Sequence, residues 1–196
     1  MTFNELLAEI YLITNRPDLV SESESALKSA TLKVHQSDYY PKDLYEVGLL
    51  WSPIGYQQSL DYRTIVPRWR AFKFLRKYDS TGSTPGDFFA LLTPEETLDS
   101  YGVNREDVCY LAGEQIEIRS STEDTYMLLG CYRHPDIVEV TYDSWVALDH
   151  PWAIIYEAAR IIFNATGKKE EASGIQKEVL EHIAALRNSN ITAGGF

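Results

Sequence analysis

The sequence predicts a mainly α fold: a helical bundle formed by the N- and C-terminal helices, with a β-rich element inserted between them (α+β). Three observations predict it. The chain opens on a capped amphipathic helix and closes on a helical hairpin with apolar residues at 3-4-4-3 spacing. Between them the pattern changes to short β-branched or aromatic runs.

Taken in order, Thr2-Phe3-Asn4-Glu5 has capping-box spacing, and Phe3, Leu6, Leu7 and Ile10 share one helical face. Asn15-Arg16-Pro17-Asp18 ends that helix. Ser21-Glu22-Ser23-Glu24 offers a second capping box ahead of Leu27, Ala30, Thr31 and Val34, and Tyr39-Tyr40-Pro41 closes the second helix. From about residue 43 the period shortens. Segments 43–47, 68–75, 108–112, 115–119 and 126–132 are the expected strands, with Gly113-Glu114 as a tight turn between two of them. Residues 80–86 are a loop by composition, and 93–102 read as a short helix with Pro94 in its first turn.

The closing hairpin begins with Asp149 as the expected N-cap and Pro151 in the first turn, where its missing N–H is not needed. The apolar run 153–163 follows, and Gly167 stops it. The second helix, to Arg187, carries Ala172, Ile175, Val179, Ile183 and Leu186 on one stripe. Ile155, Ala159 and Ile162 should meet Ile175, Val179 and Ile183 in a buried seam. Residues 188–196 are polar apart from Ile191 and Phe196, too little apolar surface to offset their ordering entropy. The expected organisation is a bundle of 1–42 and 142–187, a β-rich insertion at 43–141 and a flexible tail at 188–196.

Composition narrows function. The net charge is −11, and residues 79–150 hold fifteen Asp/Glu against three Lys/Arg, which leaves the rest near neutral. So acidic a middle disfavours a phosphate grip there. No apolar run is long enough to span a membrane, and the acidic amphipathic N-terminus does not read as a secretory signal. Cys109 and Cys131 lie in separate apolar segments, which favours reduced, buried thiols over a bridge. His35, His134, His150 and His182 have no metal spacing. No H-E-x-x-H, C-x-x-C, G-x-S-x-G or phosphate-binding glycine motif occurs, so neither a catalytic constellation nor a cofactor is expected.

One stretch is basic: Arg63, Arg68, Arg70, Lys73, Arg76 and Lys77, interleaved with Trp69, Phe72 and Phe74. Basic residues with aromatics are the composition of a nucleic-acid-binding strand, so a small binding module using 63–77 is one reading. The competing reading is a half-buried strand whose Arg68, Trp69, Arg70 and Lys73 face solvent or a protein partner. The aromatic run from Tyr142 to Trp152 either seals one end of the bundle or serves an interface.

The chain resembles the head–tail adaptor (head-completion, tail-tubular A-type) proteins of tailed bacteriophages. The resemblance rests on Phe3-Asn4-Glu5-Leu6-Leu7, on Leu60–Arg70 leading into the β part, on Ser144-Trp145 and Pro151 before the 154–163 helix, and on Thr166-Gly167, the 168–187 helix and the short polar tail. It implies a structural, non-enzymatic protein in the virion neck, assembled in the host cytoplasm as a homo-oligomeric ring, a dodecamer. Such a ring joins the portal protein to a tail nozzle or tail-tube protein and passes DNA without binding it specifically. By the same resemblance the C-terminal segment contacts the portal, which selects Arg187, Asn188, Ile191 and Phe196.

Overall fold

The computed structural model describes residues 1–52, 54–55, 57–79, 81–93, 95–96, 105–120 and 125–193. The chain divides into two compact units: Met1–Asp43 together with the chain from His134 onward, and Leu44–Arg133.

The first unit is helical. Helix α1 (Phe3–Thr14) opens on the full capping box: the Thr2 hydroxyl accepts from the Glu5 N–H, and the Glu5 carboxylate accepts from the Thr2 N–H at 2.8 Å. Helix α2 (Val20–Gln36) differs from expectation. It starts a residue before Ser21 with Leu19 at its N-cap, so the anticipated second capping box lies inside the helix. Helix α4 (Trp145–Asp149) is capped by Ser144, whose hydroxyl accepts from the Ala147 N–H at 3.2 Å. Asp149 therefore ends one helix rather than capping the next, and it pairs with Lys42 at 2.5 Å.

Helix α5 (Pro151–Ala165) buries Ile154, Ile155, Ala158 and Ile162 among Leu6, Ile10, Leu27 and Val34 of the first two helices. Its end is a Schellman motif: Lys168 N–H reaches the Phe163 carbonyl, Gly167 N–H reaches Asn164, and Gly167 adopts φ +77°. Helix α6 (Lys169–Ala193) returns along it, burying Ala172, Val179 and Leu186, with Ile175 and Ile183 half-buried.

One charged group lies inside this packing. Glu157 is 1% exposed and accepts from Lys33 on α2 at 2.6 Å and from Arg160 one turn along α5 at 2.7 Å. Burial alone would raise its pKa. Hydrogen bonds from Arg160 and Lys33, with their positive charges, outweigh that and hold it below the ordinary glutamate range. A depressed carboxylate stabilises the fold above its unfolded pKa, and that contribution is lost as pH falls through the lower folded value. The melting temperature should therefore decline from about pH 4.5 downward. Glu157→Gln should melt lower at neutral pH and show a shallower decline; parallel acid profiles for the two proteins would refute this.

The second unit holds the strands β1 (Leu44–Trp51), β2 (Gln57–Asp61), β3 (Trp69–Tyr78), β4 (Pro85–Phe88), β5 (Ala90–Leu91), β6 (Val108–Ala112), β7 (Gln115–Arg119) and β8 (Thr125–Arg133), with a one-turn helix α3 (Tyr62–Ile65) after β2. They form two four-stranded sheets, ordered β1-β8-β3-β4 and β2-β7-β6-β5. Gly113, at φ +61°, makes the expected β6–β7 hairpin turn. The chain crosses from one sheet to the other at Phe89, whose N–H bonds the Leu75 carbonyl. Leu75, Met127 and Leu129 of the first sheet share a core with Cys109, Ile116 and Ile118 of the second.

This overturns the mainly α fold class. The described residues form an α+β structure, 47% helical and 29% strand, with a β unit that has its own core rather than a small insert in a bundle. The missed strands explain the error. Gln57–Asp61 is polar and Pro85–Phe88 contains Pro and Gly, so neither carries a strand signal. Pairing with β7 and β3 makes them strands. The helix expected at 93–102 falls largely outside the described residues. No helix among the described residues is long and apolar enough to cross a membrane.

Both cysteines are free and buried, and burial pushes the thiols up, Cys109 to about 12 and Cys131 to about 11. A thiol-exchange reagent should leave the native protein unlabelled at neutral pH and count two thiols after denaturation. Fast labelling of the native state would contradict their placement.

Candidate interaction surfaces

The basic stretch becomes β3, an interior strand between β8 and β4. It does not present Arg68, Trp69, Arg70 and Lys73 as one exposed surface. Trp69 stacks on Tyr62 at 4.2 Å and packs against the core of the β unit. Arg68 and Arg70 are half-buried, and only Lys73 is exposed, its ammonium 5.9 Å from the Tyr132 ring. Other cations of the segment are also engaged: Lys77 pairs with Asp107 at 2.5 Å, and Arg63 with Glu114 at 2.8 Å.

The outer face of the same sheet carries a surface that no run of sequence announced. Leu50, Phe88 and Tyr126 are exposed there at 62%, 56% and 37%. Register places Leu50 beside Tyr126 and Tyr126 beside Tyr78, and Arg76 beside Phe88 one row over. The Arg76 guanidinium lies 4.8 Å from the Phe88 ring and donates to the Gly86 carbonyl at 3.0 Å. Phe74 meets Phe88 edge to face at 5.5 Å. It lies flat over Gly130, where a Cβ would come within 2.4 Å of the ring, so only glycine leaves room.

At the C-terminal end, α6 continues through Ala193, beyond residue 188 where the sequence analysis begins the tail. Intrahelical bonding satisfies backbone groups that a coil would leave to water. Arg187 donates to the Ser37 carbonyl and lies 4.0 Å from Asp38. Arg187, Asn188 and Ser189 are exposed. Ile191 lies within the helix, and Phe196 lies outside the described residues.

A third arrangement joins residues far apart in the chain. His35 Nδ1 lies 2.8 Å from Asp43 Oδ1, and its Nε2 lies 2.9 Å from Ser144 Oγ. With Asp43 as acceptor, a neutral imidazole carries its proton on Nδ1 and accepts the Ser144 hydroxyl at Nε2. This is the connectivity of a hydrolytic triad, but not its setting. Exposure of His35, Asp43 and Ser144 is 1%, 5% and 4%, and the rings of His35 and Tyr40 lie edge-on to Trp145. Ser144 Oγ already caps α4, and Asp43 Oδ1 also accepts from Trp145 Nε1 at 2.7 Å. The cluster fastens the end of α2, the turn after it and the start of α4. Sequence reasoning missed it because a separation of 109 positions leaves no local signal.

Compared with known proteins, the chain matches no family model and no curated protein sequence.

Proposed function

We propose that this chain is a structural head–tail adaptor of a tailed bacteriophage, one copy in a ring between a portal protein and a tail nozzle or tail tube. The observation that carries this reading is the end of α6. Leu186 is buried, and the helix runs on through Ala193, with exposed side chains at Arg187, Asn188 and Ser189. A helix with three consecutive exposed side chains near its end is suited to docking on a second protein. Because its backbone is already ordered, the ordering entropy lost on contact is smaller than for a coil. A ring presents many such ends at once, so contacts weak singly hold firmly together. The acidic excess of residues 79–150 suits a conduit through which DNA slides without adsorbing.

The test is attachment to purified DNA-filled heads that lack their adaptor. The intact chain should attach and close them. Removing residues 188–196 should abolish attachment while hardly moving the melting temperature. Equal attachment by the truncated chain, or none by the intact one, would remove the basis of the assignment.

The second reading, a nucleic-acid module on segment 63–77, draws on the Arg76–Phe88 stack. The engagement of Lys77, Arg63 and Trp69 within the fold weighs against it. At physiological salt the chain should not bind DNA more tightly than about 10⁻⁶ M, the usual non-specific range. Salt-dependent binding below that in fluorescence anisotropy would reverse the preference.

A further inference from the structure

Where α5 turns back into α6, the two helices leave an open cleft of about 270 Å³. Arg160 and Asn164 line it from α5, one turn apart, and Lys169, Ala172, Ser173 and Gln176 line it from α6. Spacings of three and four residues put these last four on one face of their helix. Ala172, 4% exposed, is an apolar floor, and the other five side chains bring hydrogen-bond donors. No carboxylate lines the cleft, because Glu170 and Glu171, in the first turn of α6, fall off that face.

The donors are largely uncommitted. Arg160 gives Nε and Nη2 to Glu157 at 2.9 and 2.7 Å, which uses one edge of the guanidinium; Nη1 and the second Nη2 proton keep the other edge. The side chains of Asn164, Lys169, Ser173 and Gln176 make no hydrogen bond or ion pair among the described residues. Charge here is positive although the chain as a whole carries −11. Lys33 and Arg160 share the single carboxylate of Glu157, and Lys169 adds a third cation with no acid partner among the described residues.

A small dianion meets both conditions. Its charge balances the local excess, and a tetrahedral set of oxygens accepts from donors that arrive from two helices. A carboxylate has one charge and two oxygens in a plane, which suits the Arg160 edge but leaves the α6 donors to water. A DNA backbone is disfavoured, because an acidic protein repels a polyanion while a local positive site still admits one compact anion.

We propose that the α5–α6 cleft binds a phosphate-class dianion, either inorganic phosphate or a small phosphomonoester. Arg160 and Lys169 neutralise its charge, and Asn164, Ser173 and Gln176 donate to its oxygens. The site lies at the start of α6, whereas the adaptor reading rests on the end of that helix, so neither depends on the other. Bound beside the turn of the hairpin, the anion ties α6 to α5 and stabilises the helical unit by mass action.

The experiment titrates the isotope-labelled full chain with inorganic phosphate and, separately, with glycerol phosphate, each against chloride at the same ionic strength and pH. Amide shifts of Asn164, Lys169, Ser173 and Gln176 should follow one saturable curve, and the melting temperature should rise with it. Lys169→Glu and Gln176→Glu, both at exposed positions, should leave the fold intact and each weaken binding at least about tenfold, since a repulsive charge replaces a donor. Lys177→Glu makes the same charge change as Lys169→Glu at an exposed position that does not line the cleft, and should bind as the native chain does. Tighter binding of glycerol phosphate assigns the ester and tighter binding of phosphate assigns the free ion; either supports the site. Shifts that never saturate, or equal weakening by Lys169→Glu and Lys177→Glu, overturn it by showing only diffuse attraction. An equal response to acetate overturns it by showing a carboxylate site.

Discussion

Replacing Asp43 by alanine should cost the helical unit about 2–5 kcal/mol, because one carboxylate oxygen serves one buried and one half-buried donor and each donor left unmatched costs about 1–3 kcal/mol. The donors are Trp145 Nε1–H and the His35 imidazole, the latter 1% exposed. The loss reaches further than the two bonds. His35 also orients Ser144, and Ser144 caps α4, so removing Asp43 frees the start of that helix. Asp43→Asn keeps a carbonyl acceptor and should fall between wild type and alanine. Denaturant midpoints measure the cost, and tryptophan emission should report the indole N–H losing its partner. An alanine variant within about 0.5 kcal/mol of wild type, the range of an ordinary surface change, would show that the cluster is dispensable.

Ile155→Ala should be comparably severe. Ile155 is fully buried on α5, in the cluster that joins Leu6, Leu27 and Val34. Truncation removes three methyl or methylene groups from a site bounded by three helices, and such changes cost about 2–5 kcal/mol. Val140→Asp, at an exposed position, should move the midpoint by no more than about 0.5 kcal/mol and serves as the surface control. Similar midpoints for the two variants would mean that α5 is not the centre of this core.

Much of this protein is determined locally, and that much was legible. Thr2 and Glu5 cap α1 because both partners lie within one turn. Gly167 ends α5 because a left-handed residue is needed there, and Gly113 turns the β6–β7 hairpin for the same reason. The stripe Ala172, Val179, Leu186 found the buried side of α6. Sequence by itself thus determined that both ends of the chain are helical, the approximate position of five strands and that the two thiols are buried. Tertiary structure alone decided the rest. It made strands of the polar Gln57–Asp61 and of Pro85–Phe88 by giving their backbone groups partners, turning a mainly α expectation into an α+β fold with two sheets. It carried α6 past Arg187, turned Trp69 inward, joined His35 to Ser144, and collected Leu50, Phe88 and Tyr126 on one sheet face. The division has a physical cause. Caps, turns and periodicity act over a few residues and leave their mark in adjacent letters. Sheet pairing and buried polar contacts join residues tens to a hundred positions apart, and are chosen only when the whole chain must satisfy its hydrogen bonds and exclude water at once.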